Sequence, residues 1–281
     1  MKKLIVTGDD FGISTEVNEA IEEAHRHGIL STASLMIGAE AALDAIDRAR
    51  RLPSLRVGLH LVVVDGPAIL PAGAIPDFSA TKGNTYRRLV RAGIHFFFSP
   101  NARRQLEAEI RAQFQAFQDT RLLLDHVNFH HHMHLHPTVL KILLKVGKEY
   151  GLRAVRLPYE PPILSWQVSR KALFRRLVIW LFLHPWITFF KSRLRGQNVL
   201  SNDLVYGMND SGSMNLNLVL RFLKYLPDGV TEIYFHPIIS RIDSSGKGNN
   251  CEKEFEALTS PRVHQMILAS GIQLVGFSDL G

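Results

Sequence analysis

A repeated alternation of short apolar strands and amphipathic helices is the feature that most constrains the fold of this 281-residue chain. Residues 2–7 are apolar and β-branched, and residues 15–27 follow with apolar side chains at helical spacing. Similar strand segments recur at 33–37, 56–63, 126–129, 154–157, 231–235 and 273–275, with helical patterns between them. About seven such units predict an α/β fold with a parallel sheet, in the form of a distorted or seven-stranded (β/α) barrel. An open doubly wound sheet is the alternative.

Polar side chains stand at the carboxyl ends of these predicted strands. Asp9 and Asp10 follow the first strand, and further along the chain come His60, His130, Arg156 and His236. Because the carboxyl ends of parallel strands share one edge, where α/β proteins build their active sites, we expect these side chains to converge. The first of these turns offers carboxylates where a nucleotide-binding loop would offer bare backbone, which argues against a dinucleotide site.

Residues 125–137 hold six of the thirteen histidines of the chain. Imidazole is the commonest protein metal ligand, so metal binding is a better interpretation than a tag remnant or a solvated polar loop. An extended backbone would place His130, His132 and His134 on one side and His131 on the other. Pro137 is expected to begin the next helix.

Three motifs in order resemble those of the YdjC-like (ChbG) carbohydrate deacetylases: Thr-Gly-Asp-Asp-Phe-Gly at 7–12, Gly-Leu-His-Leu at 58–61 and His-x-His-x-His at 130–134. The resemblance implies a (β/α) barrel, related to the polysaccharide deacetylases, that removes acetyl groups from N-acetylated sugars with a divalent metal. It implies Asp10, His60 and His130 as metal ligands and Asp9 as the catalytic base.

Two further segments are similar to motifs of this group. Residues 156–159 resemble its Arg-x-Pro-Tyr motif, which implies that Arg156 orients the catalytic aspartate. His236 and Pro237 resemble the late histidine of the family, although the glycine usual after that proline is Ile238 here. The resemblance implies that His236 protonates the departing amine.

The donor set implied by the resemblance constrains the metal and its surroundings. One carboxylate and two imidazoles suit Zn²⁺ best, while Mg²⁺, Mn²⁺, Co²⁺ and Ni²⁺ stay open, and such a set leaves coordination positions for water and substrate. We expect substrate contacts from the remaining polar side chains near this edge: His132, His134 and Tyr159.

The charge of the chain is unevenly placed. Residues 161–202 contain seven basic and no acidic residues, and residues 78–106, which include Lys82, contain six basic and no acidic residues. Within the first stretch, residues 177–190 are apolar and aromatic, but they are too short to span a membrane and are interrupted at His184 and Pro185. We therefore predict an insertion at about 161–202 that lies in the interface of an anionic membrane. The residues expected to face the membrane are Arg175, Arg176, Trp180 and Trp186.

This segment also bears on the substrate and on competing interpretations. Deacetylase motifs combined with a basic, aromatic insertion are similar to the hopanoid-biosynthesis-associated branch of the family. This resemblance implies an N-acetylglucosaminyl hopanoid as substrate. A buried cap helix or a homodimer contact is the alternative role for the segment. Nucleic-acid binding is disfavoured because the basic residues accompany long aliphatic runs.

We therefore expect one deacetylase domain over residues 1–281. The single cysteine and the early carboxylates Asp9 and Asp10 favour a cytoplasmic protein, with peripheral attachment to the inner face of the membrane as an option. The competing functions are a soluble chitooligosaccharide deacetylase, a different metal hydrolase such as a phosphoesterase, and a membrane-associated binding protein.

Overall fold

Seven parallel strands form one sheet in the part of the chain that the computed structural model describes, which is residues 1–76, 85–239 and 250–281. In chain order the strands are β1 (Lys2–Phe11), β2 (Thr32–Leu35), β3 (Arg56–Leu61), β4 (Leu124–Phe129), β5 (Leu204–Tyr206), β6 (Gly229–Phe235) and β7 (Gln273–Leu274). The order across the sheet is β4-β3-β2-β1-β6-β5, and β7 pairs with the start of β1. β1 is central and longer than predicted, so Asp9 and Asp10 lie within it.

Helices connect these strands. They are α1 (Thr15–His27), α2 (Ala42–Arg50), α3 (Thr85–Phe98), α4 (Pro100–Asp119), α5 (Pro137–Glu149), α6 (Pro162–Ser169), α7 (Leu173–Arg195), α8 (Leu216–Lys224), α9 (Asn250–Leu258) and α10 (Pro261–Ala269). Of these, α1, α2, α4, α5, α8 and α10 lie where the sequence periodicity predicted them. Local signals fix several starts: Ser14 and Ser99 accept hydrogen bonds from the backbone of the first turn, and Pro137 occupies the first turn of α5. Their apolar faces and the strands share one core.

The sheet curls into a distorted (β/α) barrel, as predicted. Beyond β4, the segment 154–156 forms only isolated bridges: the Val127 N–H donates to the Ala154 carbonyl at 3.0 Å and the Val155 N–H to the Leu200 carbonyl at 2.9 Å. The predicted strand at 154–157 is therefore wrong in length, because the Leu157 N–H donates to the Asn202 side chain at 2.7 Å and Pro158 has no N–H. These short segments bridge the side of the barrel between β4 and β5.

The C-terminal segment covers the amino end of the barrel. The ring of Phe277 stacks on that of His126 with 4.5 Å between centroids, and the Asp125 carboxylate accepts hydrogen bonds from the backbone N–H groups of Phe277 and Ser278. One histidine of the dense cluster therefore stabilises the fold. The opposite, carboxyl end of the strands holds the other polar side chains singled out by the sequence.

Helix α7 differs from its prediction. It runs unbroken for 23 residues with Pro185 inside, whereas an interruption at His184 and Pro185 was expected. Ile187, Phe190 and Leu194 are buried after the proline, and this packing holds the second half of the helix. By length and composition alone, α7 is apolar enough to cross a membrane. Of the basic residues in the other stretch, Lys82 lies outside the described residues.

Arg176 does not face outward, so the predicted membrane contact of this residue is wrong. Its guanidinium is buried and donates to the Glu160 carboxylate at 3.0 Å and to the Asp210 carboxylate at 2.7 Å. The hydroxyls of Ser165 and Ser169 and the Lys171 carbonyl accept its remaining N–H groups. Arg176 therefore ties α6, α7 and the loop after β5 together.

We expect Arg176→Met to lower the free energy of unfolding by about 3–5 kcal/mol, because the buried Glu160 and the half-buried Asp210 would lose their cation. Urea titration followed by tryptophan fluorescence measures this directly, since all three tryptophans lie in α6 and α7. The control is Arg175→Met at the neighbouring exposed arginine, with an expected change within about 0.5 kcal/mol. Equal losses in the two variants would contradict the assigned role of Arg176.

Candidate metal centre

Polar side chains from distant parts of the chain meet at the carboxyl edge of the barrel. Asp9 and Asp10 come from the end of β1, His60 from the end of β3, and His130 directly follows β4. Arg156 reaches the same place from the bridging segment after α5. The parallel topology brings Asp9 and Arg156, which are 147 positions apart in the chain, into hydrogen-bond contact.

Three of these side chains form a group that could hold a metal ion. Asp10 Oδ1 lies 3.3 Å from His60 Nε2 and 3.5 Å from His130 Nδ1, and the three ligand atoms all lie within 4.8 Å of one another. Asp10 has a φ of 62°, a left-handed conformation that is costly for a residue with a Cβ. The local turn thus turns the Asp10 carboxylate towards the two imidazoles.

Asn128 fixes the tautomer of the neutral His60 ring. Its side-chain NH₂ donates to Asp9 Oδ1 at 3.0 Å and to Ser34 Oγ at 2.8 Å, which leaves the amide oxygen for His60 Nδ1 at 2.6 Å. Because an amide oxygen only accepts, His60 Nδ1 must carry the proton. His60 Nε2 then carries a free lone pair, which is what a metal ion requires of a histidine ligand.

The surroundings of the group fit a divalent cation. Asp10 Oδ1 and His60 Nε2 are buried and have no hydrogen-bond partner within the described residues, although a buried polar atom without a partner is costly. Burial would raise the pKa of Asp10, but the nearby rings of His130 and His60 outweigh burial and lower this pKa well below its ordinary value. The site therefore offers an ionised carboxylate and two imidazole nitrogens, the donor set typical of Zn²⁺ and related first-row ions.

Asp9 lies beside this group and is held by Arg156. The guanidinium donates to Asp9 through Nη1 at 2.6 Å and Nη2 at 3.0 Å, and both side chains are buried. Burial would raise the pKa of Asp9, but the charge and hydrogen bonds of Arg156 outweigh it and hold the pKa far below its ordinary value. Asp9 is therefore a carboxylate at every physiological pH.

Glu232 completes this cluster, and the sequence reasoning missed it. Its carboxylate accepts from Arg156 Nη2 at 2.6 Å and from the Thr7 hydroxyl at 2.6 Å. A pattern in the sequence could have identified it. Every second residue from Glu232 through Tyr234 to His236, which directly follows the strand, lies on the face that points to the site. A carboxylate in an otherwise apolar strand needs a buried cation, and Arg156 is that cation.

His236 stands at the end of β6, close enough for its charge to lower the pKa of both Asp9 and Asp10. Its backbone N–H donates to Glu254 Oε2 at 2.6 Å, and the other oxygen of Glu254 accepts from the Met214 N–H at 3.1 Å. Glu254 is fully buried, and burial raises the pKa of this carboxyl. Helix α9, which the sequence reasoning did not predict, thus fixes the turn that carries His236.

The histidine segment is folded differently from its prediction. Residues 130–135 form a 3₁₀ turn with positive φ at His131 and His132, so the expected alternation of an extended chain is wrong. His134 is fully buried, and its Nε2–H donates to the Arg156 carbonyl at 3.0 Å. Burial lowers the pKa of His134 to about 3, so the ring is neutral. Because His134 is buried, the prediction that it contacts the substrate directly is wrong.

The other two predicted substrate contacts lie in different places. His132 is half-buried beside the cluster, with Nε2 at 3.2 Å from the Tyr234 hydroxyl. Tyr159 instead lines a pocket against α7, together with side chains such as His184 and Lys191. The structure therefore places His132, but not Tyr159, next to the candidate metal ligands.

Removing the amide that holds His60 should weaken metal binding. We expect Asn128→Ala to lower the Zn²⁺ affinity about 10- to 100-fold, because His60 loses the partner that fixes its proton on Nδ1. Calorimetric titration of the purified protein with Zn²⁺ measures the change. The matched control is Asn217→Ala, an exposed asparagine of α8, which should bind Zn²⁺ like the unsubstituted chain. Unchanged affinity in Asn128→Ala would contradict the role given to Asn128.

Known proteins match this chain over nearly its whole length. A carbohydrate deacetylase from Brevibacillus brevis is 30% identical over 279 residues, which cover 99% of this chain and 100% of that relative. Carbohydrate deacetylases from Vibrio parahaemolyticus and Geobacillus stearothermophilus are 26% and 27% identical, over 99% and 98% of this chain and 96% of each relative.

A solved structure shares the fold. It is a protein from Enterococcus faecalis V583, described as a proposed cellobiose-phosphate cleavage protein, with a TM-score of 0.74 and 24% identity, covering 100% of this chain and 99% of that one. The model of the family described as YdjC-like protein matches residues 3–269. The chain therefore belongs to the YdjC-like protein family.

Proposed function

We propose that this chain is a metal-dependent deacetylase that hydrolyses the N-acetyl group of an amino sugar carried by a lipid. The observation that supports the reaction is the group of Asp10, His60 and His130 beside the paired Asp9 and Arg156. Relatives described as carbohydrate deacetylases, aligned over almost the full chain, support the sugar substrate.

The site has the parts that amide hydrolysis needs. Asp10, His60 Nε2 and His130 Nδ1 would hold one divalent ion, for which Zn²⁺ is the natural choice of this donor set. When bound, such an ion polarises a carbonyl group and lowers the pKa of a water molecule to about 7. Asn128 keeps the His60 proton away from that ion.

Asp9 would act as the general base. Its low pKa keeps it ionised, and Arg156 and Asn128 fix its two oxygens at 2.6–3.0 Å so that the carboxylate cannot rotate away. A base this acidic accepts a proton poorly from free water, so its role depends on a water molecule already acidified next to it. His236, on the neighbouring strand β6, would give a proton to the departing amine.

Exposed apolar surfaces on both sides of the histidine segment support a lipid-linked substrate. On one side, Phe97 of α3 is 53% exposed and its ring lies 6.1 Å from that of His136. On the other side, the buried ring of Phe190 lies 5.5 Å from that of His134 and joins α7, whose opposite face is exposed, to this segment. The remaining exposed apolar side chains of the two helices include Ile94 and Phe98 of α3 and Phe174, Leu181, Phe182 and Trp186 of α7.

These two helices contact residues 134–136, just after the candidate ligand His130, and their exposed apolar side chains are here called the apolar rim. Soluble proteins rarely expose so many large apolar groups unless a membrane or a partner covers them. The exposed Arg175 and the half-buried Trp180 suit an anionic interface, as does the exposed Trp186. A membrane against this rim would bring a sugar linked to a lipid, such as a glycosylated hopanoid, to the catalytic edge.

The reaction is tested by measuring acetate released from an N-acetylglucosaminyl lipid and from N,N′-diacetylchitobiose. We expect the metal-loaded protein to act on the lipid and Asp9→Asn to lose about 10²- to 10⁴-fold of that activity while still binding Zn²⁺. Glu256→Gln, on the face of α9 away from Glu254, serves as the control. Activity on the disaccharide alone would favour a soluble oligosaccharide deacetylase. Inactivity on both the lipid and the disaccharide would contradict the proposed reaction.

Membrane attachment is tested by sedimentation with vesicles. We expect binding to vesicles rich in phosphatidylglycerol, weakened by salt and by Arg175→Glu, and weak binding to phosphatidylcholine vesicles. Phe182→Ser with Trp186→Ser should reduce binding further at high salt, since it removes apolar contact. A protein that stays in the supernatant and sediments as a dimer in solution would assign this surface to a second copy of the chain.

A further inference from the structure

A pocket of about 350 Å³ lies between helix α7 and the segment that follows Arg156, and neither the metal centre nor the proposed reaction uses it. The buried side chains of Leu157 and Ile187 form its apolar interior. Half-buried and exposed polar groups lie at its opening: Tyr159, His184, Thr188, Lys191, Ser192 and Arg195. The pocket is thus apolar inside and lined at its mouth by hydroxyl groups and two cations.

The cations of this pocket are only loosely paired. Lys191 Nζ lies 3.7 Å from Asp203 Oδ1, too far for a hydrogen bond, while the other Asp203 oxygen accepts from the Val230 N–H at 3.0 Å. Arg195 is exposed in the last turn of α7, where no carboxylate of the described residues pairs with it. Two such cations beside the hydroxyls of Tyr159 and Ser192 match the several oxygens of a phosphate group.

The sequence of α7 extends this site along the helix. Residues 174, 177, 181, 184, 188, 191 and 195 are spaced alternately by three and four, so they form one stripe on the helix surface. The first three, Phe174, Leu177 and Leu181, are apolar and exposed, and from His184 onward the stripe is polar and then cationic. One face of one helix therefore changes from apolar to cationic midway.

The length of the stripe matches an acyl chain. From Leu181 to Lys191 the helix rises about 15 Å. The hydrocarbon depth of one leaflet is also about 15 Å, half of the ~30 Å core of a bilayer. A molecule with a phosphate at one end and an apolar chain of this length would satisfy both halves of the stripe at once.

We propose that the pocket formed by Lys191, Arg195 and Tyr159 binds the phosphate of a phospholipid, whose acyl chain lies along Leu181 and Leu177. This site is separate from the metal centre, and the proposal does not depend on the deacetylation reaction. It would hold one lipid molecule in a defined orientation, which diffuse attraction to an anionic surface does not require.

The test uses myristoyl lysophosphatidylglycerol below its micelle concentration, inorganic phosphate and monomyristoylglycerol as three separate probes, since a myristoyl chain is long enough to follow the stripe. Titration of the full chain is followed by tryptophan fluorescence, because the Trp180 ring lies 4.7 Å from that of His184 at the pocket. We expect the phospholipid to bind at least tenfold more tightly than either phosphate or monomyristoylglycerol. Equal affinity for inorganic phosphate would overturn the lipid proposal in favour of a free-phosphate site.

Variants separate the two halves of the site. Lys191→Ala with Arg195→Ala should weaken phospholipid binding at least tenfold, and Leu177→Ser with Leu181→Ser should weaken it without changing phosphate binding. The matched control is Lys171→Ala with Arg193→Ala, which also removes one lysine and one arginine of this segment but none that lines the pocket. Equal weakening by the pocket and control variants would overturn the proposal, as would burial of the stripe in a dimer shown by sedimentation. Because no acetylated substrate is present, failure here is distinguishable from failure of the proposed reaction.

Discussion

The carboxyl edge of this barrel depends on one buried guanidinium between two buried carboxylates. Arg156 neutralises Asp9 on one side and Glu232 on the other, and all three side chains are almost completely excluded from solvent. Removing a cation from such a group leaves uncompensated buried charge, which costs several kcal/mol. The cluster also joins β1, β6 and the bridging segment, so the charge balance of the site and the closure of the barrel depend on the same side chain.

The same cluster determines which polar atoms are left for chemistry. Arg156 and Asn128 both donate hydrogen bonds to the Asp9 carboxylate, and the Asn128 oxygen accepts the hydrogen bond of His60 Nδ1–H. Within the described residues, Asp10 Oδ1 and His60 Nε2 are among the buried atoms left without a hydrogen-bond partner, and both lie in the group that includes His130. The structural hydrogen bonds thus leave unpaired the atoms that a cation would satisfy, which is how a site is organised in advance of its ligand.

Much of this arrangement could be predicted from the sequence, and the errors have identifiable causes. Strand periodicity and strand-end polarity were enough to bring Asp9, Asp10, His60 and His130 to one edge. The conformation of residues 130–135 was not predictable, because it rests on two positive φ angles at His131 and His132 that tertiary contacts impose. Arg176 was misplaced because its partners, Glu160 and Asp210, lie outside the basic stretch, although its spacing from Ile187, Phe190 and Leu194 already put it on the buried face of α7.

Helix α7 connects the core of the protein to its exposed surface. Its buried face carries Arg176 at one end and Phe190 near the other, and Phe190 packs on His134, whose ring supports the carbonyl of Arg156. The packed rings of Phe190 and His134 therefore connect α7 to Arg156, the residue that holds Asp9. Since packed interiors are stiff, a membrane or lipid that bound α7 would constrain the catalytic edge as well as anchor the protein. Side-chain contacts therefore connect the helix that carries the exposed apolar surface to the candidate metal centre.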